Sequence, residues 1–580
     1  MEKIFMRAKE KKTKHFIKIS FYSALVGIIS GLGAVVFRTL IAFFHNLFFN
    51  GTLSLAYDSN LHFVSRFGNY VIIIPVIGGI IVGYLIQRFS PEVKGHGVPE
   101  VMEAVIMREG KIRPIVSLIK ILATAIGIGS GGSAGREGPI VQIGASFGST
   151  LGQLFHLKPR DIIILVGAGA GGGIAATFNA PIAGILFTIE LILPEFSTET
   201  FIPLAISSIV ATNIARVFLG TEPAFIVPGY TLASSWEFPL YIILGILCGF
   251  IAIIFTNTLS KLEIWFERLR INKYFKPAIG GLIVGILSLF FMKWTGHYYL
   301  FGVGYSFITS VLTQENIPLI ILLALIFAKI IATSFTLGSG GSGGIFASSL
   351  FIGTAGGAAF GIIVNNIFPS ITAPPAAYAL IGMAAVVAGT TGAVITAIVM
   401  AYELTRSYEI ILPLMLCVIT SRFIVAFLYK KTMYSEPLMR RGIHVHSGHE
   451  INVLSTVKVK NAMIKDAEYL YLSDNIKQAK KIISEKGIAK IPILNGEEHP
   501  VGILHTIDIL SVDDNKKIDE FVTVKDFSIP ESDSLLTALH QMEKLKTDVL
   551  AVVDKKGQFA GVLPANLLRK LYIKKREGLF

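Results

Sequence analysis

Glu137 is an acid set inside a glycine-rich string, Gly129-Ser130-Gly131-Gly132-Ser133-Ala134-Gly135-Arg136-Glu137-Gly138-Pro139. A second string, Gly338-Ser339-Gly340-Gly341-Ser342-Gly343-Gly344-Ile345-Phe346, follows about 209 residues later. Each comes after a long apolar stretch, so one GSGGSxG pattern is used twice in a chain of membrane character. Broken helices in a repeated membrane fold aim backbone N–H groups at the midplane, and helix N-termini attract anions. A charged side chain at that depth costs about 2.5–3.5 kcal/mol on insertion scales and marks a functional place by default. The plain alternative for Glu137 is a structural ion pair with Arg136. The repeat points to an anion pathway.

The composition requires elements that can hold such a site in lipid. Charged residues make up 16% of the 580, and the mean hydropathy is +0.65. Soluble domains carry about 25% charged residues. Apolar runs of spanning or near-spanning length recur at Tyr70 to Gln87, Ile162 to Ile192, Phe201 to Leu219, Leu240 to Phe255, Ile317 to Leu337 and Ile410 to Leu428. The first run, Phe21 to Phe49, is too long for the core of a signal peptide. The net charge of +13 is concentrated beside spans: Lys3, Arg7, Lys9, Lys11, Lys12, Lys14 and Lys18 before the first, and Lys430, Lys431, Arg440 and Arg441 after the last. That is a topology signal, not a nucleic-acid surface. It places both ends in the cytoplasm with an even number of crossings. Cys248 and Cys417 both lie in apolar runs and read as small buried side chains.

A second internal match supports duplication. Gly169 to Glu190 and Gly382 to Glu403 each end on a glutamate and are offset by about 213 residues. Near residue 440 the character changes to that of a soluble α/β domain. This part also reads as two units, each a helix, a β run, a turn, a second β run and a second helix. One unit contains Glu485 to Leu494 and Gly502 to Leu510, the other Leu545 to Val553 and Gly561 to Leu568. Units of about 55 residues are small for an independent core and should pack as a pair.

Several motifs in order resemble the CLC family of chloride channels and chloride/proton exchangers. They are Gly95-His96-Gly97-Val98-Pro99-Glu100, Gly135-Arg136-Glu137-Gly138-Pro139, Gly344-Ile345-Phe346-Ala347 and Tyr434, with Phe178-Asn179-Ala180-Pro181 and Tyr402-Glu403-Leu404-Thr405 also matching. The resemblance implies an all-α polytopic membrane domain with inverted internal repeats and broken helices, over residues 19–440. A basic cytoplasmic N-terminus at 1–18 precedes it, and a linker at 441–455 follows. It also implies a homodimer in the cell membrane, chloride as substrate, and no catalytic or metal site. A central anion would bind between the N–H groups of Ile345 and Phe346, the Tyr434 hydroxyl, and the His96-Gly97 motif. Such donors hold a dehydrated anion without a fixed positive charge that would trap it. Glu137, flanked by Arg136 and Gly138, would fill an outer anion site when ionised and swing away when protonated.

Three departures bear on mechanism. His96 stands where the family usually has serine; imidazole donates one hydrogen bond while neutral and titrates near pH 6.5, which raises nitrate or another halide as substrates. Leu191 stands where exchangers of the family carry an internal proton-transfer glutamate, so the expectation leans to a passive voltage- or pH-gated chloride channel, with chloride/proton antiport by an atypical route as the alternative. Glu190 is no simple substitute, since neighbouring helical positions diverge by about 100°. Ser348 replaces a common proline, with little consequence expected. The soluble pair resembles tandem CBS (cystathionine β-synthase) domains at 456–513 and 520–575. In such domains an aspartate at the place of Asp508 can hold an adenosine ribose; the second unit has Leu567 there. No cofactor is required, and an adenine nucleotide remains open beside a purely structural role. Enzymatic readings are weak: the GxGxxG spellings at Gly167 and Gly338 and the GxSxG spellings around Ser133 and Ser342 adjoin membrane-length apolar runs, not soluble βαβ or hydrolase elements.

Overall fold

A computed structural model describes residues 2–56, 65–193, 197–222, 225, 232–405, 408–443, 457–522, 527–545 and 547–568. The chain divides near Gly442 into two units. The first has helices and no strand among its described residues, apart from isolated bridges at the glycine strings. Its first half runs α1 (Glu2–His45), α2 (Ile73–Phe89), α3 (Val98–Met107), α4 (Ile115–Gly129), α5 (Glu137–Leu154), α6 (Pro159–Phe178), α7 (Pro181–Phe187) and α8 (Thr198–Leu219). Its second runs α9 (Phe238–Arg268), α10 (Lys276–Thr295), α11 (Tyr305–Leu312), α12 (Leu319–Gly338), α13 (Phe346–Ile367), α14 (Pro375–Thr391), α15 (Val394–Thr405) and α16 (Ile411–Leu428). A short α17 (Ser435–Arg440) closes the unit. Among the described residues nine helices are long and apolar enough to cross a membrane, and four shorter apolar helices lie between them.

The halves match element by element and interlock reciprocally. At the glycine strings, Gly135 N–H donates to the Gly344 carbonyl at 2.7 Å, and Gly344 N–H to the Gly135 carbonyl at 2.6 Å. An antiparallel exchange between equivalent residues places a local two-fold axis between them. The matched glutamates repeat the theme. The Glu190 carboxylate accepts from the N–H groups of Val394 (2.7 Å), Ile395 (3.1 Å) and Thr396 (2.9 Å), at the start of α15. The Glu403 carboxylate accepts from Ile182 (3.0 Å) and Ala183 (2.7 Å), at the start of α7. Each half thus supplies the anion that satisfies the other half's open helix end. Buried Lys120 and Lys329 form a third pair: Lys120 Nζ donates to the carbonyls of Val93 and Gly95 (both 2.9 Å), and Lys329 Nζ to that of Gly302 (3.1 Å).

Some expectations change in detail. Ile162 to Ile192 is not one span. Asn179 adopts the left-handed conformation at the end of α6, and Pro181, which cannot continue that helix, opens α7; residues 188–192 then wind as a π-turn. Residues 2–18, expected as a basic segment ahead of the first span, are helical and continuous with it. The helices α10 and α13 lay outside the runs singled out from the sequence, although they are as apolar as α6 and α8, which lay within them. The linker expected at 441–455 lies, beyond residue 443, outside the described residues.

The second unit holds two three-stranded sheets of the same plan. In the first, β1 (Leu470–Tyr471) pairs in parallel with β2 (Lys490–Leu494), which pairs antiparallel with β3 (Pro500–His505); α18 (Ile476–Lys486) and the one-turn α19 (Thr506–Ile509) complete it. In the second, β4 (Ser528–Pro530), α20 (Leu535–Leu545), β5 (Val549–Val553) and β6 (Phe559–Pro564) repeat the arrangement. The short β1 and β4 went unread in the sequence, being two or three residues without a periodic signal. The segment leading into each half packs on the other. Val459 N–H bonds the Asp533 carbonyl at 2.8 Å, and Ile518 N–H bonds the Asp474 carbonyl at 3.2 Å. The two small cores are therefore tied into one body, as their size requires.

Candidate functional site

Four backbone turns deliver the expected residues to the centre of the membrane unit. Gly97, at φ +87°, precedes α3; Arg136 precedes α5; Ile345 precedes α13; Tyr434 precedes α17. Close contact of the first two turns depends on glycine: a Cβ on Gly138 would stand 2.2 Å from the His96 carbonyl oxygen. Glu137, His96 and Tyr434 are 2%, 4% and 1% exposed. The His96 and Tyr434 rings lie 6.2 Å apart, and Phe187 packs edge-on against Tyr434 at 6.4 Å. Ile345 and Phe346 are buried at the first turn of α13, where amide N–H groups lack intrahelical acceptors.

The Glu137 carboxylate sits on that helix end. Its Oε2 accepts from the Ala347 N–H at 3.3 Å, and its Oε1 accepts from the Tyr305 hydroxyl at 2.6 Å. Arg136, the partner in the plain alternative, lies over the Tyr305 ring at 5.1 Å. Tyr305 was invisible to sequence reasoning: α11 is a short helix with no motif, and only the fold brings it to Glu137. Ser348 accepts a hydrogen bond from Thr333 at 2.9 Å, a polar anchor in place of a proline.

Two cavities flank this segment. One of about 190 Å³ is lined by Arg38, Arg136, Arg216, Asn179 and Tyr305, a cationic mouth on the Tyr305 side of Glu137. The other, of about 980 Å³, reaches His96 and carries Lys94, Glu263, Arg440 and Arg441 on its walls. Arginines at the smaller mouth, charges of both signs around the larger one and neutral donors at the centre suit an anion that must enter, dwell and leave.

Leu191 lies in the π-turn, half-buried. Glu190 is committed to the start of α15, including a 2.8 Å bond from the Thr396 hydroxyl, and so stays out of the pathway. Sequence reasoning also missed Glu263, which lies among other charges at the end of α9, and the lysine pair, for which a lone charge within an apolar helix was the signal that could have found it. In the soluble unit Asp508 is exposed on α19, and matching strand registers (His505 opposite Lys490, Pro564 opposite Val549) put Leu567 at the equivalent place.

This arrangement, a duplicated helical unit with broken helices meeting at a buried anion-seeking centre, defines an integral multi-pass membrane transport protein. The family model described as "Voltage gated chloride channel" matches residues 78–426, and that described as "CBS domain" matches residues 459–515 and 518–572. The chain belongs to the voltage gated chloride channel (CLC) family and carries a tandem CBS pair. It is 33% identical over 373 residues to a putative chloride channel protein ClcB-like of Ralstonia nicotianae, covering 64% of this chain and 85% of that protein. It is 32% identical over 433 residues to the H(+)/Cl(-) exchange transporter ClcA of Vibrio campbellii, covering 73% and 89%. Among solved structures, a slow cyanobacterial Cl-/H+ antiporter superposes with a TM-score of 0.66 at 27% identity, over 73% of this chain and 98% of that one.

Proposed function

We propose that this chain carries chloride between the two cavities, with the Glu137 carboxylate as the gate, and that chloride is exchanged against protons. The observation that carries the reading is the carboxylate docked on the first turn of α13: an anion of the protein's own occupies the place a chloride would take. Ionised, it competes with chloride; protonated, it loses the attraction of the helix end and vacates the site. Exchange is put first because two features support it. The Vibrio relative is named as an exchanger, and an imidazole and a carboxylate meet at the larger cavity. Passive conduction is the second reading, favoured by Leu191, which cannot carry a proton. Chloride is the default substrate. His96 keeps nitrate and other halides in play, and His96→Ser should change anion preference and pH dependence together. The basic clusters beside the first and last spans support cytoplasmic termini, and the cell membrane and a homodimer are proposed from the family. An adenine nucleotide at the CBS pair would rest on Asp508 alone, because Leu567 offers no second carboxylate.

The test uses purified protein in sealed, chloride-loaded liposomes under a valinomycin voltage clamp, with internal pH followed as chloride runs down its gradient. Uphill proton movement establishes exchange. Chloride flux without it establishes the passive reading. Chloride flux whose pH profile is the same in Glu137→Gln removes Glu137 as gate.

A further inference from the structure

If chloride is exchanged for protons, Leu191 leaves the proton path without its family acid on the inner side. Another acid stands nearby. Glu263, in the last two turns of α9, brings Oε1 to 3.6 Å from His96 Nε2, and both line the 980 Å³ cavity. Arg440 of α17 grips the other carboxylate oxygen and fixes its orientation. His96 is buried, and its Nδ1 has no hydrogen-bond partner among the described residues. A buried ring nitrogen left open beside the anion site is poised to give or take a proton. The loop is itself pinned, since Lys120 holds the carbonyl of Gly95.

The charged and titratable groups around the ring come from several elements. Glu263 on α9 faces it directly. Arg440 and Glu436 on α17 lie behind Glu263, with Glu436 committed to the Ser260 hydroxyl at 2.6 Å. Tyr434 flanks the ring from the turn before α17. Lys120 reaches up from α4, and Lys94, on the same loop as His96, pairs outward with Glu267 at 3.3 Å.

We infer that Glu263 and His96 form the inner proton-transfer pair of this protein, in place of the acid lost at Leu191. A proton from the cavity binds the Glu263 carboxylate. It passes to His96 Nε2, leaving a carboxylate and an imidazolium. The imidazolium releases its Nδ1 proton to water in the anion pathway, which hands it to the Glu137 carboxylate, and Glu137 is released from its helix end; the ring is left neutral as the Nε2–H tautomer, and tautomer exchange through water restores the Nδ1–H form before the next turn. Each turn moves one proton and no electrons.

The inference rests on the exchange reading, so the readout is the ratio of protons to chloride moved in the same liposomes. Wild type gives uphill proton movement, and Glu263→Gln lowers the ratio at least tenfold. Glu267→Gln, one turn further along α9, exposed and paired to Lys94, keeps the wild-type ratio. Should Glu263→Gln fail to fold, His96→Asn, which keeps hydrogen bonding without titration, must show the same tenfold drop. A ratio within twofold of wild type in Glu263→Gln or His96→Asn overturns the pair while leaving exchange standing. Wild type that moves chloride with no coupled protons overturns the exchange reading and the pair together.

Discussion

Removing one oxygen atom from Tyr305 tests the gate more sharply than removing the gate itself. Tyr305→Phe deletes the hydroxyl that donates to Glu137 Oε1 at 2.6 Å but keeps the ring beneath Arg136 and the edge contact to Phe225 at 5.2 Å. A hydrogen bond to a charged group contributes about 1.5–3 kcal/mol net. At about 1.4 kcal/mol per decade, the ratio of docked to released carboxylate falls about 10- to 150-fold. Release is driven by protonation, so the same factor moves the acid-activation midpoint of chloride flux upward by about one to two pH units. The sign follows because a weaker dock needs less proton to undo it. The assay is chloride efflux from liposomes at a series of pH values, with Glu137→Gln as the fully released limit. At neutral pH the variant should conduct faster than wild type but no faster than Glu137→Gln. A midpoint within 0.3 pH units of wild type, in protein with unchanged thermal stability, would refute the docked carboxylate as the closed state.

Other predictions follow from the frame around the site. Glu190→Ala strips three backbone amides at the start of α15 of their acceptor and should lower stability in detergent by about 1–3 kcal/mol, read as a drop in melting temperature. Glu190→Gln, which keeps one acceptor oxygen, should recover part of it. Lys120→Met leaves the carbonyls of Val93 and Gly95 without their donor, at a cost of about 2–6 kcal/mol, and should reduce chloride flux along with stability, because those carbonyls set the His96 loop. In the soluble unit the hydrogen bond from Lys490, with its charge, holds the Asp548 carboxyl below the usual carboxylate range. A lowered value stabilises above the unfolded value, near pH 4, and that contribution disappears as pH falls through the folded one. With the carboxylate largely exposed, Asp548→Asn should cost only about 0.2–1 kcal/mol at neutral pH, less in high salt and nothing once pH has fallen below the folded value, measured by hydrogen exchange along β5.

The fold was legible wherever the sequence repeats itself. The two GSGGSxG strings located the crossing of the halves, and the matched ends at Glu190 and Glu403 located the second. What the repeat could not convey is which residue meets which. Glu190 and Glu403 read as markers of homology, whereas their work is to cap each other's partner helix, a contact between positions two hundred residues apart. The break at Asn179 was missed because an apolar run long enough for one span also suits two short helices; Pro181 was the better guide. The candidate site was legible through its motifs, since Glu137, His96 and Phe346 stand in or beside glycine-rich strings and Tyr434 follows the last span. Tyr305 and Glu263 stand in ordinary helical surroundings and acquire meaning only from packing.

The reciprocal pairing of Gly135 with Gly344 gives two mirror-like approaches to one centre, yet only one carries an acid. At the place of Glu137 the second half has Phe346, an apolar ring packed against Phe178 at 5.7 Å. The scaffold is therefore even-handed and its chemistry is not. If Glu137 is the gate, the molecule distinguishes its two faces: acid applied on the Arg38 and Arg216 side meets Glu137 directly, while acid on the His96 side must cross the centre to reach it. Reconstituted in one orientation, it should rectify in response to pH, opening to a step on one face and lagging to the same step on the other.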